Sequence, residues 1–230
     1  MIRALALLAC LCLPLAGCGG GGAPADAGAN SANNSAVVET APLEAAGEAA
    51  KPAPLPDVVR VRLETEAGAI LVALDAKRAP VTTANFVRYV EEGRFDGTTF
   101  YRASLSKGAP KSELRGFIQG GIRRDYRRTL PPIAHEPTSK TGIRHEPGTI
   151  SMARADEGAA MGNFFITTSA MRSMDAGEGK PGYAAFGRVE QGMDVVRRIL
   201  AAPTEDGGRG AMRGQMLAQP VRIVSARRVD

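Results

Sequence analysis

Tryptophan is absent from this 230-residue chain, and only 5% of its residues are aromatic. Histidine occurs twice and cysteine three times. The cysteines, Cys10, Cys12 and Cys18, all lie near the N-terminus. Everything after residue 18 therefore lacks disulfides, a thiolate nucleophile and cysteine-ligated zinc. His135 and His145 stand in two copies of the triplet His-Glu-Pro, which lacks the i, i+4 histidine spacing of a helical zinc site. The prolines exclude a helix there, so the pattern points to no metal. A run long enough to span a bilayer, roughly 20 apolar residues, is missing too. No Ser/His/Asp signature stands out. "GGRGAMRG" has the glycines of a phosphate loop but not the Lys-Ser/Thr that must follow them. No internal repeat is present.

What the N-terminus does have is a leader. "MIRALALLACLCLPLAGC" carries Arg3, then apolar residues from Ala4 to Ala16, then small residues. This reads as a secretory signal over 1–17. Leu15-Ala16-Gly17-Cys18 resembles a bacterial lipobox, which makes Cys18 the expected lipidation site and the mature N-terminus. The alternative is an ordinary secretory signal with an incidental cysteine. Residues 18–57 are rich in Gly, Ala, Asn, Ser and Pro, the composition of a disordered linker. About 40 flexible residues have a typical end-to-end distance of roughly 35 Å. The expected location is the bacterial cell envelope, facing the periplasm, with an N-terminal lipid anchor in a membrane.

Residues 58–230 form the expected folded domain. They hold 27 basic and 19 acidic residues, a net charge near +8. The basic pairs, such as Arg123-Arg124 and Arg197-Arg198, are scattered and not interleaved with aromatics. They do not form a nucleic-acid footprint. Solvated charge is the first reading, and attraction to anionic lipid or acidic clients the second.

Period-2 alternation marks strands at "VVRVRLETE" and "AILVALD", with a turn at Ala67-Gly68. Further short strands fit 98–103, 116–121, 149–153, 163–168, 184–189 and "PVRIVSARRV". "APVTTANFVRYVEEGRF" has the 3.6 period of a helix, with Thr82 or Thr83 as cap, Phe86, Tyr89 and Val90 inward, and Gly93 at its end. A second helix fits "QGMDVVRRILAAP". Many short strands and two modest helices predict a mainly β fold, a closed antiparallel barrel with its first strand paired to its last.

Alternation also sorts the polar residues. It places Phe100 and Arg102 on one face, Phe117 and Gln119 on one face, and Asn163 and Phe165 on one face. Ser151 shares a face with Ala153. Asp156-Glu157 reads as a solvated turn. An aromatic floor rimmed by an Arg and two amides is the make-up of a ligand pocket. The alternative is that each polar residue ends a strand by itself.

The stretches "APVTTANFVRYVEEGRFDGTTFYRA", "GFIQGG", "GTISMAR", "NFFITTS" and "GYAAFGRVEQGMDVV" together resemble the cyclophilin-type peptidyl-prolyl cis–trans isomerases. The resemblance covers nearly all of 58–230. It implies an eight-stranded antiparallel barrel capped by two helices, with a substrate groove on its outer surface. It implies that Arg102 is catalytic, that Gln119 lies in the groove and that Phe165 lines a proline pocket. Phe117, Ala153, Arg154, Asn163 and Tyr183 are the implied further substrate contacts. The implied partners are proline-containing polypeptides, with no metal, no cofactor and no nucleic acid, and the expected state is a monomer.

Three departures from the family pattern stand out. "GFIQGG" is one residue short before the Gln, which leaves Gly116 where the family has Phe. Asn163 replaces a Gln. Residues 103–118 form a longer connection than usual, either an inert surface loop or a flap beside the groove. The missing groove Trp implies weak cyclosporin binding. The rival expectation is a peptide-binding chaperone or envelope scaffold on the same fold.

Overall fold

The computed structural model describes residues 54–229, apart from 109, 124 and 155–158. The leader, Cys18, nearly all of the linker and the Asp156-Glu157 turn lie outside the described residues.

The elements run β1 (Val58–Thr65), β2 (Gly68–Asp75), α1 (Pro80–Glu91), β3 (Thr99–Leu105), β4 (Gly116–Gly121), α2 (Thr138–Thr141), β5 (Thr149–Met152), β6 (Asn163–Thr167), β7 (Ala185–Gln191), α3 (Met193–Ala201), β8 (Thr204–Glu205) and β9 (Met216–Val229). The sheet order is β1-β2-β7-β5-β6-β4-β3-β9, and β9 pairs back onto β1. Eight antiparallel strands thus close into a barrel, and the two-residue β8 lies on β9 as a ninth. Closure leaves none of the eight with an open edge.

β1 shows why the sheet forms. Its Val59, Val61, Leu63 and Thr65 point inward while Val58, Arg60 and Arg62 face solvent. Five of the seven phenylalanines, Phe86, Phe95, Phe100, Phe164 and Phe186, fill the barrel together with Tyr89. Phe86 of α1 packs at centroid distances of 4.9–5.3 Å from Phe95, Phe164 and Phe186. The other two, Phe117 and Phe165, are buried but lie outside this core, on the outer face.

The expected placement of Phe100 beside Arg102 is overturned. A β-bulge between Phe100 and Arg102 sets Arg102 opposite Gln119 and Phe100 opposite Gly120, with Tyr101 as the extra residue. The extra residue breaks the period of 2. Phe100 enters the core, and Arg102 turns to the outside.

The helix α1 also begins differently from expectation. Neither Thr82 nor Thr83 caps it; Ala79 holds the cap position and Pro80 opens the first turn. The orphan N–H groups go instead to the carboxylate of Glu136, far away in sequence. Val81 N donates to Oε1 at 3.2 Å and Thr82 N to Oε2 at 2.8 Å. The Thr82 hydroxyl donates to the same Oε2 at 2.7 Å. Glu136 is the acid of the first His-Glu-Pro triplet, and it is buried. A negative charge at a helix N-terminus is favoured by the dipole.

The prolines do exclude a helix from both triplets, but not from the stretch between them. The one-turn α2 starts directly after Pro137, which needs no N–H in that position.

Candidate active site

The bulge at Tyr101-Arg102 is the origin of the site. Arg102 emerges from β3 on the outer face, next to Gln119 of β4. Its Nη1 donates to Gln119 Oε1 at 2.8 Å. Its Nε and Nη2 both donate to Gln215 Oε1, at 2.9 and 2.7 Å. Nη2 also reaches the Ala211 carbonyl at 3.5 Å. The guanidinium lies 4.9 Å from the Phe117 ring centroid. Burial pushes the Arg102 pKa down from its ordinary value, against the pull of Tyr101 and Tyr183. An arginine starts from so high a value that the group keeps its charge at neutral pH.

Gln215 was missed from the sequence. It comes from the segment after "GGRGAMRG", set aside as a failed phosphate loop. Its backbone carbonyl also accepts from Ala103 N at 2.9 Å, which ties that segment to β3. No local signal announces such a role for a lone Gln before a strand.

Gln119 is fully engaged at its oxygen, and its Nε2 donates to Tyr101 Oη at 2.8 Å. Tyr101 in turn donates to Asn163 Oδ1 at 3.0 Å. Burial pushes the Tyr101 phenol up, while Gln119, Arg102 and Arg123 pull the other way. The phenol stays protonated and can donate. Asn163 also carries an amide nitrogen with two N–H groups, which the bond from Tyr101 does not use.

The aromatic floor lies beside this polar row. Phe117 and Phe165 meet at 5.5 Å, and Tyr183 meets Phe165 edge-on at 5.5 Å. The guanidinium of Arg154 lies 5.2 Å from the Tyr183 ring and donates to the Gly182 carbonyl. Ala153 N donates to the Asn163 carbonyl at 2.9 Å, which continues the β5–β6 pairing past the strand end. All the expected site residues apart from Cys18 therefore gather on one outer surface.

The floor rests on a buried polar chain that the sequence did not announce. His145 stacks beneath Phe165 at 5.7 Å with an interplanar angle of 11°. Its Nδ1 contacts Asp175 Oδ1 at 2.7 Å, and its Nε2 contacts Ser151 Oγ at 3.0 Å. The carboxylate fixes the proton on Nδ1, so Ser151 donates to Nε2. Burial pushes the His145 pKa down, and Asp175 partly opposes this. The order Asp–His–Ser is that of a hydrolase triad. Ser151 and His145 are both fully buried, however, so no acyl group reaches the hydroxyl. The chain holds Phe165 in place.

Gly116 explains the shortened motif. A Cβ built there would sit 2.0 Å from the Ser104 carbonyl oxygen. Only glycine fits so close to β3, and no aromatic wall can stand at this position. The 106–115 connection is a loop at the end of the β3–β4 hairpin, anchored at its base. Ser106 N donates to the Arg115 carbonyl at 2.7 Å, and the Thr168 hydroxyl donates to the Leu114 carbonyl at 2.6 Å.

Comparison with known proteins bears on this surface. Residues 60–228 match the family described as cyclophilin type peptidyl-prolyl cis-trans isomerase/CLD. The chain is 40% identical over 151 residues to peptidyl-prolyl cis-trans isomerase A of Dickeya dadantii, covering 64% of this chain and 74% of that one. It is 36% identical over 175 residues to a peptidyl-prolyl cis-trans isomerase of Streptomyces antibioticus, covering 73% and 96%. A solved cyclophilin-type isomerase of Cryptosporidium parvum superposes with a TM-score of 0.59 at 18% identity, covering 74% of this chain and 99% of that one. That structure was determined in the presence of the dipeptide Ala-Pro.

Proposed function

This chain belongs to the cyclophilin-type peptidyl-prolyl cis–trans isomerases, and from that premise we propose that Arg102 carries its catalysis and that its clients fold in the bacterial cell envelope. The observation that carries the first part is the held guanidinium on an outer, aromatic-floored groove. Rotation about a peptide bond meets a barrier of about 18–20 kcal/mol, and unaided X-Pro isomerisation takes tens to hundreds of seconds. No bond breaks. The protein need only stabilise the twisted amide more than either planar form.

As the amide twists, resonance fails and the prolyl nitrogen regains its lone pair. It then becomes an acceptor. A guanidinium has five N–H donors. In Arg102 the two glutamines take three of them. The Ala211 carbonyl faces a fourth at 3.5 Å, which leaves one N–H on Nη1 for a ligand, on a group that does not have to reorganise. A thousandfold acceleration needs about 4 kcal/mol of differential stabilisation. One preorganised donor supplies roughly 3 kcal/mol, by analogy with oxyanion-hole donors. Phe165 and Phe117 grip the proline ring, and Tyr183 closes the floor beside them. Asn163 and the backbone at Ala153-Arg154 hold the peptide. Gln119 acts mainly by orienting Arg102. Because no bond breaks, the rotation itself calls for no cofactor.

The envelope role rests on the leader and on Leu15-Ala16-Gly17-Cys18. In this reading Cys18 carries a lipid, residues 18–57 are a tether, and the domain works as a monomer on unfolded chains near the membrane. Fractionation tests it. The full chain expressed in a bacterium should sediment with membranes, while Cys18→Ala should be released into the soluble fraction. Membrane association of Cys18→Ala, or cytosolic retention of the wild type, would contradict the reading.

A further inference from the structure

Three cation–π pairs occur among the described residues, and all three surround the groove. Arg102 lies against Phe117 at 4.9 Å. Arg123 lies against Tyr101 at 5.2 Å, and Tyr101 is the residue that joins Gln119 to Asn163. Arg154 lies against Tyr183 at 5.2 Å, at the far side of Phe165. Elsewhere the arginines are used differently. Arg60, Arg88, Arg172, Arg198 and Arg227 all make ion pairs with carboxylates. Among the described residues, none of the three groove arginines does so.

The two loops beside the groove add charge of the same sign. Lys107, Lys111 and Arg115 stand in the β3–β4 connection against one acid, Glu113. Arg209 and Arg213 flank Ala211, whose carbonyl meets Arg102. A guanidinium resting on an aromatic face can still offer N–H groups at its edge to a carboxylate. Arg102 is committed to the amide. Arg123 is not, and Arg154 gives one Nη2 bond to the Gly182 carbonyl and keeps Nη1 for a ligand; the two lie on two sides of the floor.

We propose that the groove selects prolines flanked by acidic residues, with Arg123 and Arg154 receiving the Asp or Glu side chains. This rests on the isomerase reading of the same groove. A carboxylate one or two residues from the proline reaches a rim arginine while the ring sits on Phe165. A lysine there meets like charge at Arg123 or Arg154. Unfolded acidic segments are also drawn to the domain by its net charge, but that general field does not distinguish positions along the peptide. The rim arginines do.

The test compares three X-Pro peptides at low ionic strength: Ala on both sides of the X-Pro unit, Glu on both sides, and Lys on both sides. The wild-type domain is expected to show kcat/KM about three- to tenfold higher for the Glu peptide than for the Lys peptide. The ratio should shrink toward one as salt screens the rim. Arg123→Glu should collapse or invert the ratio, whereas a merely structural role would lower turnover of all three peptides together. Arg197→Glu removes the same charge from the exposed face of α3 and should leave the ratio as it is. Equal rates for Glu and Lys peptides would overturn the proposal, as would an equal effect of Arg123→Glu and Arg197→Glu on the ratio. The neutral peptide separates the two readings. If it is not isomerised, the assignment of the groove fails; if it is, and the ratio is flat, only the acidic preference fails.

Discussion

Gln215 Oε1 accepts two hydrogen bonds from Arg102, at 2.9 Å from Nε and 2.7 Å from Nη2. The bond from Nη1 to Gln119 completes a clamp on two sides of the guanidinium. A flexible side chain is thereby fixed in one orientation before substrate arrives, so little ordering is left for the transition state. Gln215→Ala should lower kcat about tenfold to 150-fold, the loss of about 1.5–3 kcal/mol expected for hydrogen bonds to a charged group. KM should change little and the thermal midpoint by no more than about 2 °C. A rise in KM with kcat intact would show that Gln215 binds peptide instead of positioning Arg102.

Glu136 should matter for folding and not for chemistry. It satisfies two backbone N–H groups and one hydroxyl at the start of α1, inside the protein. Glu136→Ala leaves those donors buried without partners. The expected loss is about 2–3 kcal/mol, and the thermal midpoint should fall by several degrees. Thr83→Ala, at the position read from sequence as a cap, should have a smaller effect. The reverse order in a denaturant titration would contradict the capping role.

Stability should respond to pH through His145. Burial holds its pKa below the ordinary value of 6.5, which the unfolded chain retains. Below about pH 6.5 the unfolded chain then binds more protons than the folded one, so stability falls as pH falls toward the folded value. Above that window the contribution is fully present. His145→Gln removes the titration. In urea unfolding at pH 7.5 and 5.5, the wild type should lose more stability than this variant. Equal losses would show that His145 does not carry the effect. Folded His145 stays neutral across this window, so the stack on Phe165 holds and activity should fall only where the protein unfolds.

Gly116 should tolerate no side chain. Gly116→Ala places a methyl group against the Ser104 carbonyl oxygen, which forces β3 and β4 apart. The same two strands carry Arg102 and Gln119. The expected cost is about 2 kcal/mol or more in stability, with a clear drop in kcat. Gly116→Phe, which restores the family residue, should be worse and not better. A gain in activity with that variant would mean that the hairpin can rearrange.

The barrel was legible because closing eight short strands follows from their alternation, as in the inward Val59, Val61 and Leu63 of β1. The outer face of Phe117 and Gln119 was legible for the same reason. Arg102 could be named, but its side of the sheet could not, since a bulge leaves no mark in a period-2 pattern. Contacts made across large sequence separations were not legible at all. Gln215 on Arg102, Glu136 on Val81 and Thr82, and Asp175 on His145 depend on the closed fold to bring them together. The short Gly-Phe motif was visible, but only the Ser104 carbonyl explains it.

The central claim is that the Arg102 guanidinium stabilises the twisted amide. Isomerisation of a neutral X-Pro peptide by wild type, Arg102→Ala and Arg102→Lys tests it most directly. Lysine keeps the charge but cannot keep the two-sided hold by Gln119 and Gln215. Both variants should keep the wild-type fold by circular dichroism. Arg102→Ala should lose about 100-fold or more in kcat/KM, and Arg102→Lys should recover only a small part of it. Near wild-type rates in Arg102→Ala would contradict the account.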